Sequence, residues 1–202
     1  VWDGNPEIFW FDPNGLNAPN NRFINAGMTI AATAVLEQRA DRYLALPLHY
    51  TATGGPLLQG VRDRQPNEIT IGSINLLRLF EDNDNYSKKL RKMARYIVEL
   101  MDTPDILAVQ ETGDLSDLQD LIFFIQLQNS QADYTPYYIP GFGSVNTAYL
   151  IRPTIQNAAV SQLGRLEFFS QGGHLHDRPP LLLEATVATD PPTPVRVLNL
   201  HL

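Results

Sequence analysis

Four polar residues adjoin apolar segments of this 202-residue chain. They are an amide, a carboxylate, a guanidinium and an imidazole: Asn75, Glu111, Arg178 and His201. Short apolar runs of this kind are typical of buried strands, and α/β folds place their active sites at the ends of such strands. The four side chains could therefore form one polar site.

Glu111 follows the sharpest of these runs, Asp105-Ile-Leu-Ala-Val-Gln-Glu. A carboxylate just past a buried strand could bind one hard cation, and Mg²⁺ typically uses one or two protein carboxylates. By itself the residue is more typical of a solvated loop. Asn75 ends Ile69–Ile74 and could orient a carboxylate or a phosphate, although an Asn at a strand end is often only a turn residue.

Arg178 and His201 adjoin the last two apolar runs, Leu181–Val187 and Val195–Leu200. Arg178 could bind a phosphate with its forked guanidinium, or form a surface ion pair with Asp177. His201 could donate to a phosphate or transfer a proton near neutral pH, or serve as a structural histidine. A second pair, His174 and His176, could chelate a transition metal, but no third ligand is evident and we predict none there.

The segments that position these residues alternate between strand and helix after residue 60. Ile69–Ile74 and Asp105–Val109 are predicted strands, and Ser87–Asp102 between them is a predicted amphipathic helix. Its basic residues fall largely on the face away from the apolar stripe, where a solvated surface is the simplest interpretation. A second helix is predicted around Leu115–Ile125, and strands are predicted from Tyr134 onward.

The first sixty residues have a different pattern. Met28–Leu36 and Arg42–Leu46 are predicted strands around a turn, and the stretch beginning at Thr53 has the composition of a linker. We therefore predict a β-rich unit over residues 1–60 and an α/β unit over residues 61–202.

Composition limits the class of protein. The chain is 44% hydrophobic and 18% charged, which is ordinary for a globular protein, and it has no cysteine, which excludes disulfides and thiolate metal sites. Its net charge of −7 argues against binding nucleic acid through diffuse positive charge. It does not argue against an enzyme that meets phosphates through a cation and a few local basic residues. No signal-peptide pattern occurs at Val1, and we expect a secreted protein whose signal would lie upstream.

Taken in order, the four segments resemble the endonuclease/exonuclease/phosphatase superfamily, which has the deoxyribonuclease fold. Ile69–Asn75 resembles its opening strand, and Asp105–Glu111 its metal-binding motif. Asp177–Leu181 and Val197–His201 resemble its Arg-containing strand entry and its strand ending in a phosphate-contacting His. Ala26–Leu36 followed by Tyr43–Pro47 is similar to the end of the OB-like module that precedes the catalytic domain in bacterial extracellular nucleases.

The resemblance implies a fold and a reaction. The fold would be the first half of a four-layer α/β sandwich, and the reaction Mg²⁺-dependent phosphodiester hydrolysis, with Mn²⁺ or Ca²⁺ as possible substitutes. Glu111 would bind the metal, and Asn75 would either bind it as well or orient Glu111. Arg178 and His201 would contact the phosphate. The substrate would be nucleic acid, DNA ahead of RNA.

Two departures from the family bear on activity. Its Gly-Asp-x-Asn and Ser-Asp-His segments do not occur in these 202 residues, so we expect the chain alone to be inactive or nearly so. The acidic partner of the phosphate-contacting His is also missing, and Asn146 or Tyr149 could take a related position. Two alternatives remain open, namely a phosphoesterase acting on a lipid headgroup or small phosphorylated molecule, and a non-catalytic binding module.

Overall fold

The structure is a computed structural model that describes residues 9–13, 16, 24, 27–39, 42–55, 59–65, 67–80 and 85–201. The chain divides into two compact units, Val1–Leu58 and Gln59–Leu202. Both contain regular structure, and the protein is of the mixed α/β class. No helix within the described ranges is long and apolar enough to cross a membrane.

The first unit contains one three-stranded sheet in its described part. Its strands are β1 (Phe9–Phe11), β2 (Met28–Arg39) and β3 (Arg42–Gly54), in the order β1-β3-β2. The predicted strand pair is confirmed, but both strands are longer than the sequence pattern indicated because β2 and β3 form one long antiparallel hairpin. The ring of Phe11 packs edge-on against the buried Tyr50 at a centroid distance of 5.2 Å.

The second unit has seven strands and three helical segments in its described part. The strands are β4 (Ile71–Leu79), β5 (Ile106–Thr112), β6 (Thr135–Tyr138), β7 (Asn146–Ile151), β8 (Ile155–Gln162), β9 (Leu181–Val187) and β10 (Thr193–Asn199). The helical segments are α1 (Tyr86–Arg95), a π-helical turn (Tyr96–Leu100) and α2 (Leu115–Gln128). The predicted βαβα order followed by strands is therefore confirmed.

These strands form two sheets. One has the order β4-β5-β7-β6, with β4 parallel to β5 and the other pairs antiparallel. The other is fully antiparallel, in the order β10-β9-β8. The parallel pair is joined through α1, as parallel strands require a crossover connection.

Alternation along β5 and β7 separates two cores, because successive side chains of a strand point to opposite faces. Leu107 and Val109 join the core beneath the helices, which also contains buried residues of α1, the π-helical turn and α2. Ile106 and Ala108 face the other way and pack with buried residues of β8 and β9. The described part of this unit therefore has three layers, with helices, the four-stranded sheet and the three-stranded sheet in that order.

A capping box marks the start of α2. Asp114 caps α2 by accepting from the backbone N–H groups of Ser116 and Asp117, and the side chain of Asp117 accepts from the N–H of Asp114 in return. This reciprocal capping box starts the helix at Leu115. The first predicted helix, Ser87–Asp102, is correct in extent but not in type, because its last turn widens into the π-helical segment at Tyr96.

Candidate functional site

The candidate site lies where β4 and β5 lose their regular pairing. The two strands run in register from Ile71↔Ile106 to Asn75↔Gln110, and the register then shifts before Leu79↔Thr112. The same irregularity occurs between β5 and β7, between Gln110 and Thr112. Leu77, Arg78 and Glu111 have positive φ angles of 53°, 57° and 59° in this region. The bulges bring side chains of the two strands next to each other at this end of the sheet.

The structure corrects two of the predicted positions. Asn75 and Glu111 were expected just past the ends of their strands, but both lie within strands, because β4 continues to Leu79 and β5 to Thr112. The sequence pattern predicted strand ends before the true ends of β4 and β5, because bulge residues break the two-residue alternation on which strand prediction depends. The role expected of each residue does not depend on this difference.

Asn75 orients Glu111. Its Nδ2 donates to Glu111 Oε1 at 2.8 Å, while its own Oδ1 accepts from the backbone N–H of Leu77 at 2.7 Å. The bulge thereby fixes the amide, and the amide fixes the carboxylate. These bonds fit the orienting role expected of Asn75, and a direct contact of this residue with a metal stays a prediction.

His201 and Arg178 complete the group. His201 Nε2 lies 3.3 Å from Glu111 Oε1, and Arg178 Nη1 lies 2.7 Å from His201 Nδ1. Because a guanidinium only donates hydrogen bonds, Nδ1 must be the accepting, unprotonated nitrogen. The proton of the neutral ring is then on Nε2, facing the carboxylate. The structure thus brings all four predicted residues together in one chain of contacts.

The electrostatics keep the carboxylate ionised. The hydrogen bond from Asn75 lowers the pKa of Glu111 most strongly, and His201, the backbone N–H of Arg78 and the positive charge of Arg178 act in the same direction. Partial burial opposes them, since the Glu111 side chain is only 20% exposed. The result is a pKa below the usual glutamate range, and hence a negative charge at neutral pH.

Lys89 supports the bulge and was not singled out by the sequence. It was grouped with the basic residues of a solvated helix face, but its ammonium donates to the carbonyl oxygens of Leu77 and Arg78. Burial lowers the pKa of Lys89, while the negative charge of Glu111 partly restores it. Helical periodicity places Lys89 beside the apolar stripe but cannot show that a strand bulge lies opposite.

Asn199 and Gln110 form a buried polar link beneath the site. Gln110 Nε2 donates to Asn199 Oδ1 at 2.7 Å, and Asn199 Nδ2 donates to the carbonyl oxygens of Val109 at 3.0 Å and Ala148 at 2.9 Å. Asn199 is 2% exposed. The contact joins β10 to β5 and β7 across the two sheets, two residues before His201. Asn199 is a polar residue within an apolar run, which was the available sequence signal.

Two further residues considered from the sequence have structural partners. Asn146 Nδ2 donates to Gly113 O at 2.5 Å, and its Oδ1 accepts from the N–H of Gly141. The hydroxyl of Tyr149 contacts the carbonyl oxygens of Leu181 at 3.0 Å and Val197 at 2.8 Å. Both therefore connect backbone segments, and neither replaces an acidic partner of His201.

The opposite end of β5 carries a cavity beside the buried carboxylate of Asp105. A cavity of about 520 Å³ is lined by residues that include Arg64, Asp105 and Thr154. Asp105 is 1% exposed and accepts from Arg64 Nη1 at 2.9 Å, Thr154 Oγ1 at 2.7 Å and the backbone N–H of Thr70 at 2.8 Å. Its bonds are those of a structural carboxylate, so the cavity does not mark the candidate site.

The residues present fit a cation held by few protein ligands. Within the described part of the chain, no three His, Asp or Glu side chains lie close enough together to enclose a metal. Glu111 is the ionised carboxylate of the site, and Mg²⁺ commonly takes one or two carboxylates and fills its remaining positions with water and phosphate oxygens. His174 stacks on Phe142, and His176 Nε2 lies 3.9 Å from Glu167 Oε2.

Comparison with known proteins adds a likeness of fold. The chain is similar to TDP2 from Caenorhabditis elegans. Crystal structures of this protein and of its selenomethionine form are 22% identical to the chain, with a TM-score of 0.42. A truncated form is 23% identical, with a TM-score of 0.44. No family model and no curated protein matches the chain.

The extent of this likeness limits its meaning. It covers 66% of this chain and 35% of the first two structures, or 46% of the truncated one, so the chain spans less than half of their length. A likeness of this size assigns no role to any residue here, and the roles below rest on the contacts described above.

Proposed function

We propose that the intact protein is a divalent-metal-dependent phosphodiesterase that acts on nucleic acid, DNA ahead of RNA. The observation that carries the proposal is the chain of contacts from Asn75 through Glu111 and His201 to Arg178. It places one ionised carboxylate beside two donors suited to a phosphate. A purely structural ion pair would not need a bulge, an orienting amide and a histidine held in one tautomer.

Each residue has a role in this proposal. A divalent cation at Glu111 would polarise the scissile phosphate and stabilise the leaving oxygen. Asn75 holds the carboxylate in place for the cation. His201 keeps its proton on Nε2, since Arg178 occupies Nδ1, and that N–H can donate to a non-bridging phosphate oxygen as negative charge develops. A guanidinium carries five N–H donors, so the contact with His201 leaves Arg178 others for the phosphate.

Metal binding tests the central step. The unfolding temperature of the chain should rise on titration with Mg²⁺ or Mn²⁺. At a cation concentration about 100 times the dissociation constant, the free energy of unfolding should increase by about 2.7 kcal/mol. Glu111→Gln should abolish the shift. Glu184→Gln is the matched control, because Glu184 is an exposed glutamate in a surface ion pair with Arg196 and should leave the shift unchanged.

Each outcome of the titration has a meaning. A shift that survives in Glu111→Gln would contradict the metal site. No shift in the unaltered chain would favour a non-catalytic binding module.

For the substrate, DNA, RNA and sphingomyelin should be compared, and cleavage of the lipid alone would favour the phosphoesterase alternative. We expect the 202-residue chain by itself to cleave none of them well, and robust plasmid cleavage lost in Glu111→Ala would overturn that expectation.

The finer features of the fold and setting are part of the same proposal. We propose a four-layer sandwich in the intact protein, an OB-like module at the start of the chain, a domain boundary near residue 60, and export from the cell. The three described layers and the three-stranded sheet of the first unit are compatible with these features.

A further inference from the structure

An exposed stack of rings lies on the segment that leads into Arg178. We call it the aromatic stack and define it as Phe142, His174 and Phe168. The rings of Phe142 and His174 are nearly parallel, with centroids 3.5 Å apart and an interplanar angle of 14°. Phe168 lies against His174 at 4.8 Å and 32°. Phe142 is 40% exposed and Phe168 is 56% exposed, so the stack continues to the surface.

Backbone hydrogen bonds hold the stack in place. Phe168 and His174 form an antiparallel bridge, and the N–H of Leu175 donates to Glu167 O at 2.8 Å. The N–H of Phe142 donates to Asp177 O at 3.0 Å. Asp177 directly precedes Arg178 in the chain, so the rings are tied to the phosphate side of the candidate site by one short segment.

One guanidinium lies against the rings. The guanidinium of Arg165 lies 4.7 Å from the centre of the Phe142 ring and donates to Pro140 O at 2.6 Å. Arg178 lies at the other end of the same segment. Flat rings next to guanidinium groups suit a ligand that has both a π face and a phosphate, which is the chemistry of a nucleotide.

We propose that the aromatic stack is a base-binding subsite, which takes an unpaired nucleobase on the outer face of Phe168 next to a phosphate at Arg178 and His201. The phosphate part of this inference rests on the proposed function. A base can cover an exposed ring only if its own face is open, as in a single strand or an unpaired end. The proposal therefore narrows the substrate class to nucleic acid with unpaired bases.

Binding of two labelled strands tests the subsite by fluorescence anisotropy. One strand is oligo(dT), and the other is an abasic strand of equal length with the same phosphates. Phe168→Ala should weaken oligo(dT) binding by about 5- to 150-fold, which corresponds to about 1–3 kcal/mol for one stacked base, and should not change binding of the abasic strand. Phe168→Trp should retain the affinity for oligo(dT), and Phe168→Leu should lose it.

The matched control is Phe123→Ala. Phe123 lies on α2 and is 56% exposed, like Phe168, but it is outside the aromatic stack. Its replacement should leave both affinities unchanged. The proposal is overturned if the unaltered chain does not bind oligo(dT) more tightly than the abasic strand. It is also overturned if Phe168→Ala weakens the binding of both strands equally, or if Phe168→Leu binds oligo(dT) as tightly as the unaltered chain.

Two further arms separate related failures. Arg178→Ala should weaken the binding of oligo(dT) and of the abasic strand to the same extent. If it changes neither affinity while Phe168→Ala still weakens only oligo(dT) binding, the base subsite stands and the proposed phosphate site fails. Leu166 and Leu175, which adjoin Phe168 and His174 in the chain, are also exposed, so binding to a lipid surface is the competing outcome. Cosedimentation with phosphatidylcholine and phosphatidylserine vesicles that is lost in Phe168→Ala, with oligo(dT) binding intact, would assign the rings to a membrane and overturn the proposal.

Discussion

Replacement of Asn199 by alanine should destabilise the second unit and loosen the candidate site. The side chain makes three hydrogen bonds, to Gln110 Nε2 and to the carbonyl oxygens of Val109 and Ala148. All three partners lie in a region that excludes water. Leaving a buried polar group unpaired costs about 1–3 kcal/mol, and Gln110 keeps a second contact with Ser73 Oγ at 3.1 Å. We therefore expect a loss of about 3–5 kcal/mol, a large part of the stability of an ordinary domain.

Urea unfolding followed by far-UV circular dichroism measures this loss, provided that the slope against urea concentration does not change. Arg196→Ala is the control on the same strand, because Arg196 forms only an exposed ion pair with Glu184. It should cost less than about 1 kcal/mol. If Asn199→Ala costs no more than this control, the buried link does not hold β10 and the reasoning is refuted.

Asn199→Asp tests the same link by its pH dependence. The replacement keeps the shape but directs a carboxyl group at two carbonyl oxygens, which can only accept hydrogen bonds. The charged form is then disfavoured in the folded protein, so its folded pKa should lie above the unfolded value of about 3.9. Stability should approach that of the unaltered chain at acid pH and be lost as the pH rises through the folded pKa. A deficit that does not depend on pH would contradict this account.

Three other predictions concern Asp105, Lys89 and Asp114. Burial opposes ionisation of Asp105, but bonds from Thr70 and Thr154 and the charge of Arg64 still lower its pKa; stability should therefore fall as the pH drops below about 4, and Asp105→Asn should remove that part of the slope in urea titrations at several pH values. Lys89→Met should cost about 1 kcal/mol in urea unfolding and reduce the metal-induced thermal shift, since the bulge carbonyls lose their donor; an unchanged shift would separate Lys89 from the site. Asp114→Ala should cost about 1 kcal/mol in thermal unfolding because α2 loses its capping box, and no loss would mean that the cap is replaced by water.

The order of strands and helices in the second unit could be predicted from its sequence. Alternation and helical spacing are local properties, and α2 and β9 follow them closely. The ends of β4 and β5 could not be predicted in this way. Their last residues form bulges in which Leu77, Arg78 and Glu111 adopt positive φ angles. Such bulges depend on pairing with a neighbouring strand rather than on the local sequence.

The candidate site shows the same division. The residue types at Asn75, Glu111, Arg178 and His201 indicated phosphate or metal chemistry, because an amide, a carboxylate and two donors are the groups that this chemistry uses. Their proximity could not be read from the chain, since Glu111 and His201 are ninety positions apart. The supporting role of Lys89 was missed for the same reason, because its partners lie on a different element.

The sequence by itself determined which segments are strands and helices and which polar residues adjoin them, because burial patterns repeat with the period of the backbone. Tertiary structure alone decided that these residues meet, that His201 holds its proton on Nε2, and that the pKa of Glu111 is lowered. Hydrogen bonds and charges act over a few ångströms. Only the packing of β4, β5 and β10 against one another brings the groups within that range.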